Sequence, residues 1–379
     1  MENFFYFVSK ILNYKLARSG FITPALPINL TFSVTNQCQS RCRTCHIWEI
    51  YSNHKLPEYE ELSLSEIESI FKSMGKIFFF NISGGCPFLR EDLPDIISLA
   101  CKYLKPSIIH IPTNAINPEL IEKSILKILE VLSNYRRKIE LSIKPSLDGI
   151  GNDHDDIRGV EGNFEKLNLL LPKLFRMREK NKNLKIGVNT ILSKMNVKKL
   201  PEIMKFVDFL PIDSYVAEIA EKRAEMDNEK EDITPDISDY SSAISLFTEK
   251  SINRMPRLPI LGKIIESLRL VYYKNSLEIL KKEKQIPPCY GAISNAHISP
   301  AGEVWACAVL GDKMSLGNLR DVDYDFMKIW LSKKANEVRS FVKAEKCFCP
   351  LSNQAYSNML LSPLELIRAI KYLAGSYLK

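Results

Sequence analysis

Six times between residues 28 and 217 a short β-rich run gives way to a helical pattern, and no other feature of the chain restricts its fold as much. The runs are 28–35, 77–83, 108–112, 139–143, 184–192 and 212–217. Between them lie helical patterns such as 63–74, opened by a capping box of Ser63 and Glu66, and 164–180, preceded by Gly162 and Asn163. Repeats of this length build a parallel sheet, because each crossover must return over one face before the next strand pairs. A barrel and an open doubly wound sheet both satisfy the pattern.

The rest of the chain divides by texture. Residues 1–27 read as an N-terminal amphipathic helix, with Phe4, Phe5, Val8, Ile11 and Leu12 set among Lys10, Lys15 and Arg18. Packing on the protein's own body is the plain reading of such a helix, and peripheral membrane contact the alternative. Residues 218–285 turn charged and helical, interrupted by Pro235, Pro256 and Pro259, and read as a bridge. Residues 286–350 carry cysteines and short strands (296–298, 304–308) around a Pro300-Ala301-Gly302 turn, and 351–379 end in a helix over 363–378.

The charge of +7 is spread over 52 basic and 45 acidic side chains, a mild excess that gives no nucleic-acid footprint. No apolar run approaches the roughly 18 to 20 residues that span a bilayer. Nine cysteines make an odd count, and no stretch near the start has the layout of a cleavable secretory signal. Reduced thiols in a cytoplasmic protein are the expectation, and thiols kept reduced are free to bind metal.

Those thiols cluster. Directly after the first run comes Cys38-Gln39-Ser40-Arg41-Cys42-Arg43-Thr44-Cys45, three sulfurs within eight residues of loop. Thiolates packed so closely repel one another unless a cation or cluster neutralises them, and soft sulfur selects zinc, copper(I) or iron-sulfur centres. Zinc competes because His46 follows at once and would complete a Cys3His set. A zinc-stabilised protein that docks nucleic acid or regulates is the reading that follows from it. Against this stands the position: all ligands come from one loop at a strand's carboxyl end, where βα barrels put catalysis. A second group, Cys289, Cys307, Cys347 and Cys349, is large enough for one complete metal site. Cys86 and Cys101 belong to neither group, and His54, His110 and His297 read as structural.

Cys-x3-Cys-x2-Cys after a first strand, followed by the βα units, resembles the radical S-adenosylmethionine (SAM) superfamily. The resemblance implies an α/β fold, a partial (βα)6 TIM-like barrel, with Cys38, Cys42 and Cys45 holding a 4Fe-4S cluster. Its open iron chelates SAM, and reductive cleavage gives a 5'-deoxyadenosyl radical that abstracts hydrogen from a substrate. Thr44 departs from the family, which usually has an aromatic residue there. Ser83-Gly84-Gly85-Cys86-Pro87 is similar to the family's Gly-Gly-Glu-Pro with cysteine for glutamate, which implies cofactor contacts from Gly84 and Gly85. Thr113-Asn114-Ala115 is similar to its Thr-Asn-Gly, implying that Thr113 and Asn114 line the cofactor pocket. Ser146-Leu147-Asp148-Gly149 and the stretch through Arg158 resemble the fourth-strand signature of peptide-modifying members. That puts Ser146 near the ribose and Arg158 on the carboxylate, an ion pair with Asp155 or Asp156 being the plain alternative for Arg158. Asn189 and Thr190 would face the adenosine unless they point outward, and Glu218 reads equally as a substrate contact or a solvated carboxylate.

The frame around Cys289, Cys307 and Leu316-Gly317-Asn318-Leu319 is similar to the SPASM domain, so the C-terminal part is expected to be a small iron-sulfur domain. Full versions hold more cysteines and two clusters. Four cysteines imply one auxiliary 4Fe-4S cluster, although Cys347-Phe348-Cys349 is tighter than the usual spacing and zinc remains an alternative there. The implied partners are an electron donor such as flavodoxin or ferredoxin and a substrate that is a peptide or a small molecule such as a sugar or lipid precursor, with no nucleic acid.

Overall fold

The computed structural model describes residues 2–52 and 60–377. His54 and the last residues of the expected tail helix lie outside the described residues. The six expected runs form six strands: β1 (Asn29–Ser33), β2 (Phe79–Ser83), β3 (Ile108–Thr113), β4 (Glu140–Pro145), β5 (Leu184–Leu192) and β6 (Ser214–Ile219). All five neighbouring pairs are parallel. Three further strands, β7 (Asn295–Ile298), β8 (Glu303–Trp305) and β9 (Ser315–Asn318), come from the cysteine-bearing C-terminal part.

These last strands are not a sheet of their own. β7 pairs in parallel with β1, Asn29 opposite Asn295, and the sheet runs β6-β5-β4-β3-β2-β1-β7-β8-β9. The barrel therefore stays open, with β6 and β9 at its two edges. An exposed edge strand invites pairing with another chain. At β6 the edge is covered by the helix Ile260–Lys282, where the Ala217 amide donates to the Tyr273 hydroxyl at 3.1 Å.

Each strand presents two chemically different faces. On β3 and β4, Ile109, Ile111, Leu141 and Ile143 are fully buried beneath the crossover helices, while His110, Ser142 and Lys144 between them are only half-buried. A closed parallel barrel packs apolar side chains on both faces. Here the helix-facing side alone makes the core, joined by Phe32, Phe71, Phe80 and Ile82, and each such burial contributes about 1.5–3 kcal/mol. The concave side is polar and partly open.

Caps and junctions follow local chemistry. Ser63 accepts the Glu66 amide while Glu66 reaches back to the Ser63 amide, so the helix Leu64–Ser73 starts where the capping box demands. The N-terminal helix Glu2–Ser19 packs on the body: Tyr14 is buried against Ile28, Tyr290, Ile293 and Leu361. Its outer side leaves Val8, Leu12 and Leu16 exposed. No described helix is long and apolar enough to cross a membrane. The expected helical bridge starts later than its charge pattern suggests. Residues 220–236 are largely irregular, and only from Ile237–Arg254 onward is the segment helical.

Candidate functional site

The cysteine loop begins where β1 ends and is held from three sides. Beneath it lie the two glycines after β2: the Gly85 amide donates to Thr35 O and the Cys86 amide to Gln37 O, both at 2.8 Å. A Cβ on Gly85 would sit 2.1 Å from Gln37 O, and one on Gly84, whose φ is +109°, would sit 2.2 Å from Thr35 O. Only glycine allows this backbone-on-backbone approach. From a second side, the helix Asn152–Arg158 binds the loop through Arg41 N–H to Arg158 O (2.9 Å) and Arg43 N–H to Ile157 O (3.0 Å).

The third side is the irregular stretch after β6. The His46 amide donates to Met226 O at 2.9 Å, and Asn228 Nδ2 donates to Thr44 O at 2.7 Å. The same stretch grips the C-terminal cysteine loop, with Ala224 N–H to Val309 O and Glu225 N–H to Ala308 O, each at 3.2 Å. One short segment thus fastens both cysteine loops. Glu225 is buried beside His297 and Ser33; burial alone would raise its carboxyl, yet His297 and Ser33 hold it down to about 2. His297 is therefore a partnered buried histidine, flanked by Trp305.

Cys38, Cys42 and Cys45 come together in this cradle. Burial, followed by the charges of Cys42 and Cys38, pushes the Cys45 thiol well above its usual range. Burial likewise raises Cys42 against the pull of Arg158. Protein groups alone raise the Cys42 and Cys45 thiols, so a cationic group is what would convert them to thiolate ligands. Among the described residues no three Cys, His, Asp or Glu side chains close on a point fit for a single metal ion, although the three thiols interact through space. The imidazole of His46 is turned away from sulfur, Nδ1 to Glu49 at 3.0 Å and Nε2 towards Glu231 at 3.7 Å, so it does not complete a Cys3His set.

The expected cofactor residues fall on two sides of the strand plane. Asn114 lies against the loop, its Nδ2 3.9 Å from Cys38 Sγ and 3.3 Å from Gln39 Oε1. Arg158 pairs with Asp148 at 3.2 Å in a buried position, not with Asp155, which caps the helix Asn163–Lys180 through the Gly162 and Phe164 amides, nor with Asp156. Its Nε is buried without a partner. Asn189 bridges Ser146 across the strand ends, and its Oδ1 is also buried and unpartnered. An orphaned Arg158 atom beside the thiol cradle and an orphaned Asn189 atom at the strand ends are what a polar cofactor would satisfy. By contrast, Thr113 and Thr190 point to the helix side. Thr113 Oγ1 accepts the Ala115 amide, and Thr190 Oγ1 donates to Leu147 O at 2.5 Å. Both hydroxyls follow the helix-facing parity of their strands.

Cys86, which the sequence set apart, lies beside Cys38, its thiol donating to Asn114 Oδ1 at 3.4 Å and pushed up to about 11 by burial and by Cys38. The register of β2 on β1 brings it there, in line with the place of Cys86 next to the glycine pair of the cofactor motif. Cys101 is buried in a helical turn away from both loops. Cys289, Cys307, Cys347 and Cys349 form a second convergent set. Burial and then Cys289 push Cys307 up to about 12, and Cys349 responds to both Cys307 and Cys289. The Gly291 amide donates to Cys289 Sγ at 3.3 Å.

Residues 32–207 match the family model described as the Radical SAM superfamily, and residues 289–350 match SPASM, described as an iron-sulfur cluster-binding domain. The parallel half-barrel with its thiol loop thus defines the class, and the chain belongs to the radical SAM superfamily. Within it, this chain is a member with a C-terminal SPASM domain, whose strands extend the core sheet. A 4Fe-4S cluster and SAM follow for the core, and auxiliary iron-sulfur clusters for the SPASM domain.

Among proteins of similar sequence are the Fe-coproporphyrin III synthase of Methanosarcina barkeri (28% identical, covering 47% of this chain and 40% of that protein) and the subtilosin biosynthesis protein AlbA of Bacillus subtilis (29%, 40% and 31%). The chain thus spans less than half the length of these two curated relatives. Streptococcus suis SuiB, solved with its precursor peptide SuiA, shares the fold, with a TM-score of 0.58 at 18% identity over 86% of this chain and 69% of that one.

Proposed function

We propose that this chain is a radical SAM enzyme acting on a peptide side chain at the concave face of its half-barrel. The observation that carries the reading is the thiol loop at the carboxyl end of β1, held on backbone-close glycines with an unsatisfied polar atom of Arg158 beside it. When bound, the cluster and SAM supply a 5'-deoxyadenosyl radical able to take hydrogen from carbon. The protein's part is to hold and orient. Cys38, Cys42 and Cys45 ligate the cluster, and the Gly84-Gly85 turn, packed on Thr35 and Gln37, offers its backbone to the cofactor's amino end. Arg158 offers a planar donor to its carboxylate, and Ser146, Asn114 and Asn189 face its nucleoside. Cys289, Cys307, Cys347 and Cys349 hold one auxiliary four-iron cluster, and a flavodoxin or ferredoxin delivers the electron.

The peptide assignment rests on similarity to AlbA and to SuiB, which was crystallised with a precursor peptide; a porphyrin-type substrate, as the name of the Methanosarcina relative indicates for that protein, is the small-molecule alternative. Electron paramagnetic resonance of the anaerobically reduced protein tests the site. Adding SAM should change the spectrum of one cluster and leave the other unaltered. A spectrum indifferent to SAM would remove the cofactor role of the β1 loop. Arg158→Gln should demand about tenfold more SAM for the same change.

A further inference from the structure

Away from the cysteine loops, the concave face carries a second set of charged groups. Lys144 follows the inward parity of β4, and its stem crosses β5 at Gly187, where a Cβ would lie 3.2 Å from Lys144 Cγ and 2.5 Å from Ser214 Oγ. Glycine inside a strand marks such a close crossing. The side chain therefore runs from β4 towards β6 and the Ile260–Lys282 helix behind it. Arg269 sits on that helix one turn before Tyr273, which fastens the helix to β6.

Neither cation is fully matched. Among the described residues Lys144 has no hydrogen-bond partner and no carboxylate within ion-pair distance. Arg269 is 4% exposed, gives one Nη to Glu266 at 2.5 Å and also hydrogen-bonds the Tyr356 hydroxyl, which leaves only its Nε buried without a partner. Burial, and after it the Arg269 guanidinium, hold the Lys144 ammonium down to about 8, with Glu218 opposing. Glu218 is engaged by the Ser352 hydroxyl at 2.8 Å. His110 on β3 is the other titratable neighbour; burial and then Lys144 depress it to about 3, so it is neutral near pH 7. Two cations sharing a half-buried space, one with a vacant buried donor, pay desolvation and like-charge repulsion that an incoming anion would offset.

We propose that Lys144 and Arg269 form an anion-binding subsite of the concave face, which takes a carboxylate or phosphate group of the substrate. The proposal deepens the reading of this face as the substrate chamber and rests on it. It narrows the substrate class to molecules with an anionic oxygen group some distance from the reacting carbon, such as an acidic peptide.

Titration calorimetry of the reconstituted full chain with SAM, using citrate and inorganic pyrophosphate as separate probes, tests it. At least one probe should bind at one site per chain, and which one binds distinguishes a carboxylate from a phosphate substrate. Lys144→Gln should weaken that binding at least about tenfold, and Lys144→Arg should restore most of it. Lys194→Gln, on an exposed lysine paired with Asp232, should leave it unchanged. Arg269→Gln unpairs buried Glu266 and risks misfolding, so the half-buried Lys144 carries the test. Absence of binding by both probes, or equal binding by wild type and Lys144→Gln, overturns the subsite. Deoxyadenosine release is scored separately on the same wild-type preparation. If it is absent while Lys144-dependent binding persists, the radical reading falls and the subsite stands.

Discussion

Replacing Gly85 with alanine is the sharpest test of how the fold builds its site. The added methyl would lie 2.1 Å from Gln37 O and 2.6 Å from Gln37 C, against backbone that has no rotamer by which to retreat. An ordinary carbon–oxygen approach is about 3.3 Å, so the loop and the glycine turn must part by roughly 1 Å. Both 2.8 Å hydrogen bonds across this junction, Gly85 N–H to Thr35 O and Cys86 N–H to Gln37 O, then leave bonding range. At about 1–3 kcal/mol for each group left unsatisfied, the loss is about 3–5 kcal/mol. Gln37 precedes Cys38, so the first cluster ligand moves with the loop. Denaturant unfolding of the apo-protein should show the destabilisation, and iron analysis after reconstitution should show about four of roughly eight irons lost. Gly162→Ala is the control. Its φ, unlike that of Gly85, is positive, at +72°, but its Cβ would meet nothing within 4 Å, so it should cost only about 1–2 kcal/mol of left-handed strain. If Gly85→Ala unfolds at the same midpoint as Gly162→Ala and keeps its full iron, the proposed dependence of the cysteine loop on this junction is wrong.

Two further outcomes follow from the same geometry. Asn228→Ala removes the donor to Thr44 O and the acceptor of the Arg223 amide (2.7 Å each), and should cost about 2–4 kcal/mol in thermal or denaturant unfolding; an unchanged midpoint would mean that the stretch after β6 does not brace the first cysteine loop. Glu66 is held down to about 2, first by Arg320 and further by its bonds with Ser63 and Tyr324. Its folded value lies below the unfolded one of about 4.3, so it stabilises above that pH and the contribution fades as pH falls through about 2. Discounted for partial exposure, it is about 1–2 kcal/mol. Glu66→Gln should lose this at pH 7 and unfold like wild type near pH 2, whereas a constant gap down to pH 2 would contradict the linkage.

The strands were legible because their β-rich runs are short and bounded by helical patterns; the span of β5 coincides with its run. The first run reads longer than β1 because Val34 and Thr35 are as β-prone as the strand but already bend towards the glycines. Parity was harder. A polar residue on a strand suggests a lining side chain, yet Thr113 and Thr190 face the helices and satisfy their hydroxyls on nearby backbone. Pairing between distant segments left no trace in local pattern. The addition of β7 to β1 and the double grip of residues 224–228 on both cysteine loops depend on contacts between residues far apart in the chain. Lys144 was passed over because a lysine in a strand usually faces solvent, and only Gly187 on the neighbouring strand shows where its stem runs.

The central claim is that the β1 loop holds the cluster at which SAM is cleaved. Anaerobically reconstituted protein, given dithionite and SAM, should release 5'-deoxyadenosine detectable by mass spectrometry, and Cys42→Ala should abolish that release while retaining the iron of the auxiliary set. Deoxyadenosine release that survives Cys42→Ala would contradict it.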